Sequence, residues 1–215
     1  MNLFTIRRIG FAIFRHRRMK LFYATFQPSE QTALVDIGGA PNTWLSESHY
    51  QRIPVTLVNL RFPDPAVFTD GRFTAVVADA TRLPFADASY DIAFSNSVIE
   101  HVTTWERQQA FASEVRRVAP KLWIQTPARC FPIEPHLLAP FFQYWPRQLQ
   151  IRAARYFTVW GLLTRPTRAQ VEEMILEIRL LTYSEMKQLF PDCTILKERF
   201  LGFTKSYVAV RGSSG

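Results

Sequence analysis

The sequence predicts a doubly wound α/β fold with a mostly parallel, seven-stranded sheet. Two observations support this prediction. Short apolar runs typical of strands alternate with segments of helical periodicity, which implies right-handed crossovers between parallel strands. The first of these runs, residues 33–37, ends in Gly38-Gly39, as a buried parallel strand does where it enters a tight turn. With 215 residues, the chain is long enough for one well-filled core.

The other elements follow the same alternation along the chain. Apolar content predicts further strands at residues 55–60, 74–77, 91–95 and 121–125. Helices are expected at residues 41–50 and 103–118. A helix at 184–190 follows much later, and the strands at 194–199 and 205–211 are expected to pair as an antiparallel edge.

Residues 129–170 break this rhythm. They contain five prolines among many aromatic residues. We interpret them as a partly helical insertion after the fifth strand, lying over the strand ends. The aromatic residues of this segment favour a mixed role, with core packing below and the edge of an apolar acceptor pocket above.

The cysteine content argues against disulfides and metal binding. The chain has only Cys130 and Cys193, with no C-x-x-C spacing. We therefore expect no metal site, and a reducing, cytoplasmic setting is the natural default. The apolar runs are far too short to cross a bilayer.

The ends of the predicted strands are the first places to look for a ligand, because doubly wound sheets bind ligands at the carboxyl ends of their strands. Glycines at 38 and 39 allow the backbone to turn sharply and a ligand to approach it closely. Asn59 ends the second strand, 21 residues beyond Gly38, near the offset at which nucleotide sites place a ribose-binding acid. A plain turn at Gly38 and an Asn that caps a strand end remain alternatives.

A longer pattern lies around the predicted fourth strand. Its four elements stand in order: Asp79-Ala80, Leu83-Pro84-Phe85, Ser89-Tyr90-Asp91 and Glu100-His101-Val102. With this pattern the chain resembles the class I S-adenosylmethionine-dependent methyltransferases, in particular the methyltransferase type 11-like domain. The resemblance runs from about residue 33 to 127 and more loosely to 211.

The resemblance implies a Rossmann-like methyltransferase fold and S-adenosyl-L-methionine as the cofactor. In that family, the loop after the first strand passes under the methionine part, and its counterparts here are Asp36, Gly38, Gly39 and Ala40. Asn59 would contact the ribose. Asp79 would accept a hydrogen bond from the adenine amino group, and Ala80 would offer its backbone N–H to the ring. Asn96 and Ser97 would lie beside the sulfonium.

The chain departs from the family pattern in two ways. The loop of the family carries later glycines, which are replaced here by Ala40 and Asn42. Asn59 stands where the family has an acid. Asn tolerates the left-handed conformation better than most residues, whereas the loss of the acid removes a charge.

The chemistry that the resemblance implies is a direct displacement, in which the protein mainly aligns the reacting atoms. A base is needed only if the acceptor loses a proton. The candidate catalytic residues are His136 and His101, with Glu134 orienting His136 or binding a cationic acceptor. In the alternative, His101 only bonds to the backbone near a helix start, and Glu134 pairs with an arginine such as Arg129.

The sequence therefore predicts transfer of a methyl group to a small-molecule or lipid-linked acceptor. One alternative is a non-catalytic binding module with the same fold, acting at a membrane or protein partner. Another is a nucleic-acid methyltransferase, although no stacking motif accompanies the basic residues. The sequence carries no signal for the oligomeric state.

Basic residues concentrate at the N-terminus. Residues 1–29 contain no acid and supply six of the net eight positive charges. We interpret them as a basic arm preceding a methyltransferase domain at 30–215. A helix that caps the cofactor site, a contact with an acidic membrane surface and a contact with nucleic acid are the three roles considered for this arm. Localisation would then be cytoplasmic, or peripheral at a membrane.

Overall fold

The computed structural model describes residues 3–45, 53–62 and 71–212, with side chains described from residue 14 onward. The strands, in chain order, are β1 (Leu34–Ile37), β2 (Val55–Asn59), β3 (Phe73–Val77), β4 (Ile92–Asn96), β5 (Lys121–Pro127), β6 (Ile133–Glu134), β7 (Ala139–Pro140), β8 (Thr194–Phe200) and β9 (Phe203–Arg211). The helices are α1 (Leu3–Phe26), α2 (Pro41–Leu45), α3 (Trp105–Val118), α4 (Arg147–Phe157), α5 (Val159–Thr164), α6 (Arg168–Glu177) and α7 (Tyr183–Leu189).

Seven strands form one sheet in the order β3-β2-β1-β4-β5-β9-β8, and β9 runs antiparallel to both of its neighbours. The chain leaves β1 toward β2 and β3 on one side and returns at β4 to build the other side. Strand order therefore reverses between β1 and β4, which is the position where such sheets bind ligands. The predicted fold and the antiparallel edge are confirmed.

Helix α1 is packed into the core over the part of it whose side chains are described. Met19, Phe22 and Phe26 are buried against the same sheet face as Phe94 and Trp123. The helix ends at Phe26, and Gln27 follows it with a positive φ of 45°. Residues 14–26 thus contribute apolar surface to the core, although they lie in the segment interpreted as a basic arm.

The opposite sheet face carries the second layer of the core. The N-terminus of α3 is capped by the Thr104 side chain, which accepts a hydrogen bond from the backbone N–H of Arg107. Phe111 and Val115 of this helix are buried in the cluster that also contains Val35 and Ile124 from the sheet. The predicted helix at 103–118 is confirmed, beginning at residue 105 because Thr104 is its cap.

Between β5 and α7, the chain forms a short two-stranded sheet and three helices, α4 to α6. Leu137, Phe142, Ala154 and Val171 belong to a third apolar cluster in this region. The partly helical character of residues 129–170 agrees with the sequence, whereas their status as an insertion stays a prediction. The second half of the predicted 41–50 helix lies outside the described residues. None of the described helices is both long enough and apolar enough to span a membrane.

Candidate functional site

The turn after β1 requires glycine. Gly38 has a positive φ of 76°, and its N–H donates to the Val58 carbonyl over 2.7 Å. A Cβ at this position would lie 2.3 Å from Cγ2 of Val98. The backbone is therefore held at the sheet edge in a conformation that L side chains rarely adopt.

Asp36 supports this turn from inside the fold. Its carboxylate is buried and accepts a 2.8 Å hydrogen bond from Nε1 of Trp44, while Oδ1 finds no partner among the described residues. A Cβ at position 39 would lie 1.8 Å from Oδ2, so Gly39 makes room for the carboxylate. Burial raises the pKa of Asp36 to about 7, against the opposing effect of the Trp44 bond.

The raised pKa of Asp36 makes the stability of the protein dependent on pH. An unfolded Asp titrates near pH 4, so between about pH 4 and pH 7 the folded state keeps a proton that the unfolded state releases. Stability is therefore lost as the pH rises through this window.

We expect the difference in melting temperature between Asp36→Asn and the wild type, measured by calorimetry, to shift in favour of Asp36→Asn as the pH rises from 4 to 8. Asp87→Asn, at an exposed carboxylate, is the control; parallel wild-type and Asp36→Asn curves would contradict this assignment.

Asn59 and Asp79 lie at the ends of the next two strands. The Asn59 amide Nδ2 donates to the Gly39 carbonyl over 2.7 Å, which leaves Oδ1 able to accept a hydrogen bond. Oδ1 of Asp79 accepts bonds from the Thr81 N–H and hydroxyl at 2.9 and 2.8 Å, and Oδ2 accepts one from Arg107 at 2.8 Å. The Thr81 N–H, with help from Arg107, lowers the pKa of Asp79. A charged carboxylate with a side chain 40% exposed is therefore held at this edge.

An uncovered apolar side chain accompanies these polar groups. Leu60, directly after Asn59, is 69% exposed. Ala80 follows Asp79 and is half-buried. A flat ring with polar edges fits such a surface, because its face can cover Leu60 while its edge bonds to a carboxylate.

Asn96 is the last residue of β4 and Ser97 follows it, and both side chains form hydrogen bonds within the protein. Oδ1 of Asn96 accepts a 2.7 Å bond from Nη1 of Arg18 on α1, and the Ser97 hydroxyl donates to the Gln125 side chain over 3.0 Å. Ser97 has a positive φ of 58°. Sequence reasoning did not single out Arg18, because six basic residues in a segment without acids give no sign of which one is buried. In the structure this guanidinium is buried beside β4 and Glu198.

The three candidate catalytic residues lie close together. Glu134 accepts hydrogen bonds from the N–H groups of His136 and Leu137, and its Oε1 lies 2.7 Å from Nδ1 of His136. The rings of His101 and His136 are 5.0 Å apart in an edge-to-face arrangement. Nδ1 of His101 lies 3.0 Å from Oε1 of Glu177 on α6. Glu134 thus pairs with His136 rather than with Arg129.

Glu100 joins this cluster, although sequence reasoning treated it only as part of a motif. It is fully buried, and Oε2 accepts a 2.8 Å bond from the Thr126 hydroxyl at the end of β5. Oε1 has no hydrogen-bond partner among the described residues. Burial raises the pKa of Glu100, and the nearby His101 and His136 oppose this effect.

A cavity of about 420 Å³ borders the cluster at Glu134. Its lining mixes apolar and aromatic side chains, among them Leu137, Phe142 and Trp145, with the guanidinium groups of Arg129, Arg147 and Arg179. This volume lies in the range of small-molecule pockets.

Comparison with known proteins agrees with this architecture. A family model described as a methyltransferase domain matches residues 49–121. The chain is similar to a SAM-dependent methyltransferase from Methanosarcina mazei, with 15% identity and a TM-score of 0.57 over 88% of this chain and 95% of that one. A comparison with curated proteins found no match.

Two further solved structures are similar. One is 1,6-didemethyltoxoflavin-N1-methyltransferase from Burkholderia thailandensis, solved with 1,6-didemethyltoxoflavin and S-adenosylhomocysteine; it shows 15% identity and a TM-score of 0.56 over 93% of this chain and 78% of that one. The other is the [4+2]-cyclase SpnF, with 14% identity and a TM-score of 0.53 over 84% of this chain, which spans 57% of the length of SpnF. At these identities the likeness shows the fold.

Proposed function

We propose that this chain, in which residues 49–121 match a model described as a methyltransferase domain, uses S-adenosylmethionine to transfer a methyl group to a small-molecule or lipid-linked acceptor by direct displacement. When bound, the cofactor supplies a methyl group that is already activated on a sulfonium. The protein then has to bind both reactants and align them, which is where its own residues act.

The observation that carries this proposal is the set of groups at the ends of β1, β2 and β3. The Gly38 turn, the Asn59 amide and the Asp79 carboxylate lie at the tips of adjacent strands, beside the uncovered Leu60. A nucleoside offers the complementary groups, which are ribose hydroxyls, an amino group and an apolar ring face. We assign the ribose to Asn59, the adenine amino group to Asp79 and the ring face to Leu60, with Ala80 offering its N–H.

We assign the methionine part of the cofactor to the loop of Gly38, Gly39 and Ala40 after β1, which the buried Asp36 supports. Asn96 and Ser97 flank the sulfonium. Arg18 bonds to Asn96 over 2.7 Å, so α1 helps to position this side of the site. This contact supports the interpretation of the N-terminal helix as a cap on the cofactor site.

We place the acceptor in the cavity bordered by Glu134, with its reacting group in contact with His136. The Glu134 carboxylate fixes Nδ1 of His136 over 2.7 Å and so orients the opposite ring nitrogen. The apolar and cationic lining fits an acceptor that has an apolar body and a polar or anionic group.

The cofactor assignment predicts a loss of binding in one variant. S-adenosylhomocysteine should raise the melting temperature of the wild type, because a ligand that binds only the folded state stabilises it. Asp79→Ala should remove most of this shift, since the variant lacks the acceptor for the amino group. Differential scanning calorimetry with millimolar ligand measures both effects.

Asp87→Ala is the matched control, because it also breaks an exposed Asp–Arg ion pair, to Arg117, away from the strand tips. It should keep the full ligand shift. An equal shift in wild type and Asp79→Ala would contradict the assignment of Asp79. The absence of any shift in the wild type would favour a binding module over an enzyme.

A further inference from the structure

We propose that Glu100, His101 and His136 form a binding site for one divalent transition-metal ion of the zinc type. Each residue offers one ligand atom, and these atoms all lie within 4.8 Å of one another. The three residues come from two segments: Glu100 and His101 lie in the turn after β4, and His136 lies in the turn between β6 and β7. Two imidazoles and one carboxylate form a donor set that transition metals commonly accept.

The orientation of both imidazoles matches that of metal ligands. Histidines that bind a metal usually donate their other ring N–H to a carboxylate, which fixes the tautomer and the ring. Here Nδ1 of His136 lies 2.7 Å from Glu134, and Nδ1 of His101 lies 3.0 Å from Glu177. Each ring therefore has a carboxylate at Nδ1, so Nε2 is the nitrogen that would bind the ion.

The buried carboxylate of Glu100 supplies an independent argument. Its Oε1 is inaccessible to solvent and lacks a hydrogen-bond partner among the described residues. An unsatisfied buried oxygen costs free energy, and a cation bound there would satisfy it. Three carboxylates, those of Glu100, Glu134 and Glu177, surround the two imidazoles. Their negative charge favours the binding of a doubly charged cation.

The donor types select the class of ion. Imidazole nitrogen suits zinc and its neighbours in the first transition row, whereas magnesium and calcium prefer oxygen ligands. Ligand atoms at about 2.0–2.2 Å from a tetrahedral zinc ion lie roughly 3.4 Å apart. The ligand atoms of this cluster lie within 4.8 Å of one another, so a pair near that limit has to approach by roughly 1.4 Å on binding, through rotation of the side chains.

The role of the ion rests on the proposed function. Three protein ligands leave a coordination position open, as in catalytic zinc sites. An acceptor hydroxyl bound there would lose its proton to water more readily. Its oxygen would then form the bond to the methyl carbon while the carbon–sulfur bond breaks and the sulfonium becomes a neutral thioether. We therefore infer that the acceptor carries a hydroxyl group and is methylated on its oxygen. His136 would contact this acceptor through the bound ion.

The test is metal binding by the full chain, freed of any affinity tag and of bound metal by chelator dialysis. Titration with Zn²⁺ in a calorimeter should give one ion per chain, and Co²⁺ should give visible absorption bands of a site with nitrogen and oxygen ligands. His101→Ala and His136→Ala should each weaken binding at least about 100-fold, and Glu177→Gln roughly 10-fold to 100-fold. Glu100→Gln, which keeps the side-chain volume, should also weaken binding.

The control is His16→Ala, at an exposed histidine on α1, which should bind Zn²⁺ like the wild type. Circular dichroism identifies any variant that fails to fold. If Glu100→Gln unfolds, Zn²⁺ binding by His101→Ala, at a half-buried residue, is the measurement that tests the site. Wild-type protein that binds no Zn²⁺, or binding that is unchanged in both His101→Ala and His136→Ala, would overturn the metal site. Titration with S-adenosylhomocysteine separates the two proposals. Cofactor binding without Zn²⁺ binding defeats only the metal site, whereas Zn²⁺ binding without cofactor binding leaves the metal site standing and defeats the methyltransferase function together with the role of the ion in it.

Discussion

Replacement of Phe22 by alanine is expected to lower the free energy of unfolding by about 3–5 kcal/mol. The Phe22 ring is fully buried, and its centroid lies 5.2 Å from that of Phe94, 5.7 Å from Trp123 and 5.9 Å from Trp44. Truncation removes these contacts and leaves a cavity between α1 and the sheet. At about 2–4 °C per kcal/mol for a chain of this size, the melting temperature should fall by roughly 10 °C.

Phe157→Ala is the matched control, because this ring is 70% exposed at the end of α4. It should change stability by less than about 0.5 kcal/mol. Denaturant unfolding of both variants measures the difference. A loss below about 1 kcal/mol for Phe22→Ala would mean that α1 is a detachable arm, as the predicted boundary at residue 29 implies. A loss of the expected size would make the helix part of the folding unit.

The second large effect concerns turnover. His136→Ala should lower the rate of methyl transfer roughly 100-fold or more, the contribution expected of a group that handles the acceptor proton, whether directly or through an ion. Its affinity for S-adenosylhomocysteine should stay within about twofold of the wild type, since the strand-tip residues are intact. The measurement uses labelled S-adenosylmethionine and an acceptor found by screening the wild-type protein.

His16→Ala should leave turnover unchanged. Glu134→Gln should give an intermediate loss, because the imidazole remains but loses the carboxylate that orients it at 2.7 Å. If His136→Ala turns over acceptor at the wild-type rate, the acceptor does not meet this histidine and the cavity beside Glu134 is not its site.

Much of the fold followed from local patterns. The strand predicted at residues 33–37 and the glycine turn after it followed from a short apolar run that ends in Gly38-Gly39, and the structure has the strand at Leu34–Ile37. Helix α3 could be predicted over residues 103–118 from its helical spacing, and the structure showed that Thr104 is its cap. Each of these two signals is contained in one short stretch of the sequence, so neither prediction needed knowledge of the rest of the chain.

The N-terminal helix shows what local patterns leave undecided. Its basic residues left three roles open, a cap on the cofactor site, a membrane contact and a nucleic-acid contact, whereas in the structure Arg18 is buried and bonds to Asn96, 78 positions later in the chain. The side chain can be buried because Asn96 and the Phe14 carbonyl accept its N–H groups, and Glu198 lies 3.6 Å away as an ion-pair partner. Charge along the sequence carries no information about such partners.

The sequence by itself determined the parallel sheet, the glycine turn and the order of the strand-tip residues, because each depends on neighbours along the chain and on the alternation of strands and helices. Only the tertiary structure brought Glu100 and His101 to His136, and Glu177 to His101 from 76 positions away. That assembly depends on how the chain between β5 and α7 folds back over the strand ends, and packing between distant segments, rather than local periodicity, decides it.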